Sequence, residues 1–328
     1  LRLPVTMRAL QQTSLNGPQD MRLITDAPVP VPGRNDILIR VTAAGVNFRD
    51  ISQTHGATSD NPQPPYVPGF EAAGEIVAVG EAVTDLSIGT CVVGVGSGAF
   101  AEYMVLPAAA PVPAGRTAEQ SLGLIVNWPT ALAALKPLGD VAAGQTVLIH
   151  AAAGATGQAA VRLAKHYGAT VIAAASPGKH DTVRALGADH VLNSRGADLA
   201  AEVLELTDGA GVDVVLESVG GATFDTSLAV AKRVTGRVIV SGLAESEASV
   251  TNWDLVYRHQ IHLIGLNVGI LVQRTPQLFG ELMGELFELI AAGVLTPGQP
   301  TTYALADGPK ALAELENRAT VGKLALLP

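Results

Sequence analysis

With 328 residues, 48% of them apolar and only 16% charged, the chain has material for a large buried core and, at roughly 100–200 residues per domain, for two domains. Its net charge of −9 with no long basic run argues against nucleic acid or an anionic membrane as partner. The single cysteine, Cys91, excludes a disulfide framework and fits a reducing cytoplasm. No basic segment followed by an apolar one opens the chain. The longest apolar stretches, such as 261–272, fall short of the about 20 residues that span a bilayer. Met7 reads as a native start, with residues 1–6 an upstream linker or an extended arm.

The first third carries short β-type runs, such as 37–41 and 74–79, between Gly- and Pro-rich turns, and predicts a compact all-β unit. Cys91 lies in an apolar, strand-like run and is expected in the core. From about residue 121 the texture changes. Strands are expected at 146–149, 170–174, 212–216, 237–240 and 262–265, with a helix at 157–166. Near-continuous apolar strands alternating with helices predict a parallel sheet covered on both faces. A long helix follows at 278–292, and residues 323–327 can rejoin the first unit as a strand. Trp128 and Trp253 are expected to pack. The reading is an α/β protein: a doubly wound Rossmann domain at 121–267, and a mostly β domain from both chain ends, 1–120 and 268–328.

Between the first of these strands and its helix stands Ala151-Ala-Ala-Gly154-Ala-Thr-Gly157. This is G-x-G-x-x-G with alanine in the first place. Gly154 lets backbone approach a pyrophosphate, Gly157 allows tight helix packing, and the helix N-terminus at Ala155 and Thr156 presents free N–H groups. The next strand leads into Ser176, where an NAD site usually carries an acid for the ribose 2′-hydroxyl. Here Ser176 and Lys179 follow, with Arg184 and Arg195 beyond, a set suited to a 2′-phosphate. NADPH is therefore the expected cofactor, with phosphate contact preferred for Lys179 more than for the arginines; the alternative is that they are solvated surface charges.

Taken together, several strings resemble the medium-chain dehydrogenase/reductase superfamily, in its zinc-independent branch of quinone oxidoreductases and polyketide-type enoyl reductases. They are Ala43-Ala-Gly-Val-Asn-Phe-Arg-Asp50, Pro68-Gly-Phe-Glu-Ala-Ala-Gly74, the 151–157 loop, Ser176-Pro-Gly-Lys-His-Asp181, Val214-Val-Leu-Glu-Ser-Val-Gly220 and Glu316-Asn-Arg-Ala-Thr-Val-Gly-Lys323. The resemblance implies a GroES-like catalytic domain beside the Rossmann domain. It also implies a homodimer through the sheet edge near 261–266. It adds Ser218, Gly242, Asn267, Arg318 and Lys323 as cofactor contacts.

Zinc relatives hold the metal with Cys, His and a further Cys or acid. Asn47 and Phe70 stand in two of those places, and four-cysteine sites need four cysteines, so no metal is expected. His259 and His262 flank a strand and point to opposite faces. Asn47 and Asp50 are the catalytic candidates, Asn47 also toward the cofactor; an Asx turn is the alternative. Several enoyl-thioester reductases carry a proton-donating tyrosine where this chain has Thr58, and Tyr66 is expected to pack. Lys179 and Asp198 match a lysine and an aspartate suggested as donors in synthase enoyl reductases; for Lys179 the phosphate role is preferred. The expected activity is hydride transfer from NADPH to a quinone, an enone or an enoyl thioester. The alternatives are a tailoring enoyl or keto reductase of a polyketide-like pathway and a non-catalytic NADPH-binding protein.

Overall fold

The computed structural model describes residues 2–296 and 298–328. They form two compact units, Leu1–Ile125 with Thr296–Pro328, and Val126–Leu295.

The first unit is built around the strand Ile37–Val46, buried along its length except at Arg40 and Thr42, which face outward. Its first half pairs antiparallel with Tyr103–Leu106 and its second half with Leu324–Leu327. The sheet continues through Glu71–Val79, Cys91–Val95 and Ala108–Pro111 on one side. On the other side Thr301–Ala304 lies parallel to Leu324–Leu327. The chain's last strand thus completes a sheet begun by its first third. Leu10, Ile39, Ile76, Phe100, Met104, Leu106 and Leu326 are at most 1% exposed in the core of this unit, each contributing about 1.5–3 kcal/mol by burial. Cys91 departs from expectation. It opens its strand opposite Glu75 with its side of the pleat toward solvent, and is exposed.

Among the described residues of the second unit, six parallel strands lie in the order His190–Asn193, Thr170–Ala175, Thr146–Ile149, Val214–Glu217, Arg237–Val240, His262–Gly265. This is the doubly wound order. Its reversal falls between Thr146–Ile149 and Val214–Glu217, and ligands of such sheets bind beyond the carboxyl ends of the strands there. Leu148, Ile172, Val215 and Val238 are buried along the sheet, as the apolar runs predict.

The helix Pro276–Ala291 corrects the expected boundary. Leu282, Leu286 and Ile290, spaced by four, form its buried stripe, and it packs on the helix Asn127–Ala133 of the second unit. Its Glu285 accepts a hydrogen bond from the Tyr167 hydroxyl, and the Lys136 ammonium lies 4.4 Å from the centre of the Tyr167 ring. Residues 268–295 therefore belong with the sheet they follow. Trp128 is buried as expected; Trp253 is 59% exposed, at the start of the helical segment Asp254–His259, with its ring 5.5 Å from that of Tyr257. No helix among the described residues is long and apolar enough to cross a membrane.

Candidate functional site

In the second unit, the strand Thr146–Ile149 runs into a turn with Ala151 at φ 48°, and the helix Ala155–His166 begins after Gly154. The Gly154 N–H donates to the Ala151 carbonyl at 3.0 Å, curling the loop so that the first helical N–H groups open at its end. The two glycines do different things. A Cβ on Gly157 would lie 2.2 Å from the Ala151 oxygen and 2.7 Å from Ala152 Cα, so glycine there is required by the loop itself. A Cβ on Gly154 would meet nothing nearer than the Ala151 oxygen at 3.4 Å. Its bareness serves no protein contact and leaves backbone open to a ligand. Thr156 Oγ1 accepts from Asn127 Nδ2 at 3.0 Å, which fixes the first turn.

Ser176 follows the strand Thr170–Ala175 and is half-buried; the Lys179 N–H closes a turn onto its carbonyl at 2.9 Å. No acid stands at this strand end. Arg184 pairs with Asp181 at 3.1 Å on the surface. Arg195 is exposed, its backbone N–H on Asn193 Oδ1 at 2.9 Å. Asp198 is exposed before the helix Leu199–Leu206, beyond the edge strand and two strands from the 151–157 loop. Asn267 is exposed and caps the helix Val268–Arg274, accepting from the Ile270 N–H at 3.2 Å.

Ser218 and Gly242 follow adjacent strands, and a Cβ on Gly242 would sit 3.1 Å from the Ser218 oxygen. Ser218 is set by a buried polar network that the sequence did not single out. Glu217, at the end of its strand and 0% exposed, turns back to accept the N–H groups of Val219 and Gly220, each at 2.7 Å. Its other oxygen accepts the Ser227 hydroxyl at 2.5 Å, and His150 Nε2 lies 3.0 Å from Ser227 Oγ. Because that hydroxyl donates to Glu217, the imidazole Nε2 carries a proton and donates to Ser227.

The first unit holds the other cluster. Asn47 ends the long strand and starts the helix Phe48–Thr54; its N–H donates to Asp50 Oδ2 at 2.8 Å. Its side-chain Nδ2 donates to Glu71 Oε1 at 3.0 Å, and its Oδ1 accepts from Lys323 Nζ at 2.9 Å. The same ammonium lies 2.6 Å from Glu71 Oε1, and Glu71 Oε2 accepts the Gly123 N–H at 2.6 Å. Gly45 makes room: a Cβ there would be 2.3 Å from Glu71 Oε1. Asn47, Asp50 and Lys323 are thus brought together as one site. Lys323, expected at the cofactor, serves Asn47 and Glu71, with its side chain 10% exposed. Glu71 was not expected as a site residue; an acid opening the apolar strand Glu71–Val79 is the sequence signal for it. Burial pushes the Asp50 carboxyl up to about 7 from its ordinary range, against the Asn47 N–H and Lys323, which lower it. Arg318 is partly buried with φ 56°, its N–H on the Leu315 carbonyl at 3.0 Å. Tyr66 is only partly exposed; Thr58 bonds Asn61 within its own loop.

The chain matches the alcohol dehydrogenase GroES-like domain over residues 33–115 and the zinc-binding dehydrogenase family over residues 155–284. It is 39% identical to prostaglandin reductase-3 of Mus musculus over 253 residues, 76% of this chain and 67% of that protein. It belongs to the medium-chain dehydrogenase/reductase superfamily, in the quinone oxidoreductase and enoyl reductase branch. Within that branch it is 35% identical to the pikromycin polyketide synthase component PikAII of Streptomyces venezuelae, over 92% of this chain but 8% of the synthase. The structure of Escherichia coli quinone oxidoreductase complexed with NADPH superposes with a TM-score of 0.90 at 29% identity, covering 98% of this chain and 100% of that one. Among the described residues no three His, Cys, Asp or Glu side chains are grouped so that they could hold a metal ion.

Proposed function

We propose that this chain is an NADPH-dependent, zinc-independent reductase that delivers hydride to a quinone or an α,β-unsaturated carbonyl, an enone or an enoyl thioester. The observation that carries the reading is the 151–157 loop. It leaves Gly154 bare at a helix N-terminus, at the switch point of a doubly wound sheet, with Ser176 and Lys179 in place of an acid. Gly154, Ala155, Thr156 and Gly157 would hold the pyrophosphate; Ser176 and Lys179, with Arg195 nearby, would hold the 2′-phosphate. Ser218 and Gly242, with Asn267 and Arg318, are assigned to the remainder of the cofactor. NADPH supplies the hydride when bound.

The chain's own residues position and polarise. Asn47 is oriented by Glu71 on one side and Lys323 on the other, which leaves one Nδ2 hydrogen to donate to a carbonyl oxygen gaining charge. The same arrangement supports a site without zinc. An ammonium bonded to both Asn47 and Glu71 repels a divalent cation from the place where relatives bind one, and Phe70 offers no ligand. Asp198, exposed beyond the edge strand, is the weakest of the proposed donors.

The purified protein is expected to oxidise NADPH, and NADH far more slowly, with a quinone, an enone or an enoyl thioester as acceptor. Tight NADPH binding without turnover on all three would refute the reductase reading and leave a non-catalytic NADPH-binding protein. Preference for an enoyl thioester would favour a tailoring role in a polyketide-like pathway, which the likeness to the synthase supports. Metal analysis showing stoichiometric zinc lost together with activity would refute the zinc-independent part.

We place the chain in a reducing cytoplasm, where a lone exposed cysteine has no disulfide to lose. We also propose a homodimer through the edge strand His262–Gly265, beside which Tyr257 and Ile270 are exposed. Light scattering of a variant with a proline in that strand tests it.

A further inference from the structure

The cluster around Asn47 is unbalanced in charge. Glu71 and Asp50 are both 0% exposed, and among the described residues Lys323 is the cation bonded to the cluster. Its ammonium is committed to Glu71 at 2.6 Å and to Asn47 at 2.9 Å. The other nearby cation, Arg49, bonds Asp60 at 2.8 Å and lies over the Phe70 ring. Asp50 receives one backbone N–H on Oδ2, while its Oδ1 is buried with no hydrogen-bond partner. A buried carboxylate so poorly provided for is costly in its charged form.

Among the described residues three other buried side-chain atoms of this unit share the condition, the Tyr66 hydroxyl, Gln12 Oε1 and Arg116 Nε; the first two belong to residues that pair with each other. Gln12 and Tyr66 exchange backbone hydrogen bonds, 2.8 Å one way and 3.2 Å the other, so their side chains leave the same face. Gln12 Nε2 donates to the Gly17 carbonyl at 2.8 Å, and the Gly17 N–H donates to the Thr54 carbonyl at 3.0 Å. Thr54 sits one turn beyond Asp50 on the same helix. Burial, and after it the Asp50 charge, push the Tyr66 hydroxyl up to about 12, which makes Asp50 and Tyr66 electrostatic neighbours.

The 0% exposure of Asp50, its single N–H partner and its bare Oδ1 favour the neutral carboxyl, and a count of donors points the same way. With Asp50 ionised, Oδ1 and Gln12 Oε1 are two acceptors competing for the single Tyr66 proton. With Asp50 protonated, two donors meet two acceptors: the Asp50 O–H donates to the Tyr66 oxygen, and the Tyr66 O–H donates to Gln12 Oε1. None of the three atoms is hydrogen-bonded to another in the structure; one bridging water would close the chain.

We infer that Asp50 is a proton-holding positioning residue, whose neutral form, chained through Tyr66 to Gln12, keeps Asn47 in place for reduction. This rests on the reductase reading for its consequence but not for its protonation state. Loss of the proton to solvent places a second negative charge beside Glu71. It draws Lys323 away from Asn47 Oδ1 and frees the amide that the site needs fixed. The groups that set the titration are Lys323, Glu71, Arg49 and Tyr66.

The test is pH-difference infrared spectroscopy on the ligand-free protein, with NMR of protein carrying 13C-labelled aspartate. A carboxylic-acid carbonyl band is expected that vanishes as pH rises through about 7 and is missing in Asp50→Asn, and one aspartate carboxyl should titrate over the same range. Tyr66→Phe should move the band to higher frequency, the direction for an acid that loses its hydrogen bond. In turnover, the wild type should fall about tenfold per pH unit above the transition, and Asp50→Asn should lose that slope. No titrating aspartate, or a band that persists in Asp50→Asn, overturns the assignment. An unmoved band in Tyr66→Phe removes Tyr66 from the chain, and an unchanged slope in Asp50→Asn removes the link to Asn47. The spectroscopy needs neither cofactor nor acceptor. A protein that reduces nothing would therefore defeat the reductase reading and leave the Asp50 proton decided on its own. Should Asp50→Asn not fold, the aspartate titration in the wild type and the Tyr66→Phe band still decide.

Discussion

Placing a methyl group on each glycine of the 151–157 loop separates what the fold requires from what a ligand requires. In Gly157→Ala the new carbon would sit 2.2 Å from the Ala151 oxygen and 2.7 Å from Ala152 Cα, both backbone atoms that cannot rotate away. Overpacking of this kind costs about 1–3 kcal/mol. Alanine returns up to about 1 kcal/mol in helix propensity; because the two clashing atoms are backbone, the upper part of the range applies, leaving a net loss of about 2 kcal/mol. For a unit of this size that lowers the melting temperature by about 4–8 °C. In Gly154→Ala the nearest atom is 3.4 Å away, and φ −76° with ψ 174° suits any residue. Loss of glycine at the helix cap costs no more than about 1 kcal/mol. If the bare backbone of Gly154 receives the pyrophosphate, the same methyl weakens NADPH at least about tenfold, or about 1.4 kcal/mol. Thermal melts without cofactor and fluorescence titration with NADPH measure the two effects separately. Gly154→Ala binding NADPH like the wild type would refute the assignment of this loop. Gly157→Ala melting like the wild type would refute the steric account of the second glycine.

Lys179→Ala should raise the Michaelis constant for NADPH far more than it lowers turnover; a pure turnover defect would return the lysine to the role of proton donor. Lys323→Met leaves Glu71 buried without its ammonium and should cost about 3–5 kcal/mol by urea denaturation, with Lys323→Met/Glu71→Gln recovering part of it. No recovery in the double variant would show that the pair does not act as a unit. Because the Asp50 carboxyl is raised from 3.8 to about 7 in the folded state, its contribution to stability is full below about pH 4 and lost as pH rises through about 7. The shift of about 3 units sets an upper limit of about 4 kcal/mol on that loss. Asp50→Asn should therefore gain on the wild type in melts above about pH 7, and equal pH dependence of the two would contradict the burial argument.

What could be read from the sequence follows burial and locality. The strands Thr146–Ile149, Arg237–Val240 and His262–Gly265 fell where expected, because each is an apolar run bounded by turns. The strands His190–Asn193 and Thr301–Ala304 carry no such local signal. They lie at sheet edges, are only partly buried, and carry no run of apolar residues to announce them. The dinucleotide loop was legible because strand, turn and helix are contiguous. Lys323 and Asn47, 276 positions apart, and His150 and Ser227, 77 apart, meet only through the fold. No local pattern states that Lys323 turns toward Asn47 and Glu71, or that Glu217 bends back on its own turn.

Asp50 shows most sharply why composition and spacing stop where they do. An aspartate three residues after a helix-starting asparagine reads as a cap, and its carboxylate does accept the Asn47 N–H. On a solvated helix that cap would be an ordinary anion. Here the helix Phe48–Thr54 buries it beside Glu71, with Lys323 already committed and its own Oδ1 without a hydrogen-bond partner. Its capping role is a matter of local sequence, whereas its proton is a property of the tertiary charge count. The same residue therefore holds the start of the helix and, if the infrared band titrates as expected, sets the pH range over which Asn47 stays fixed.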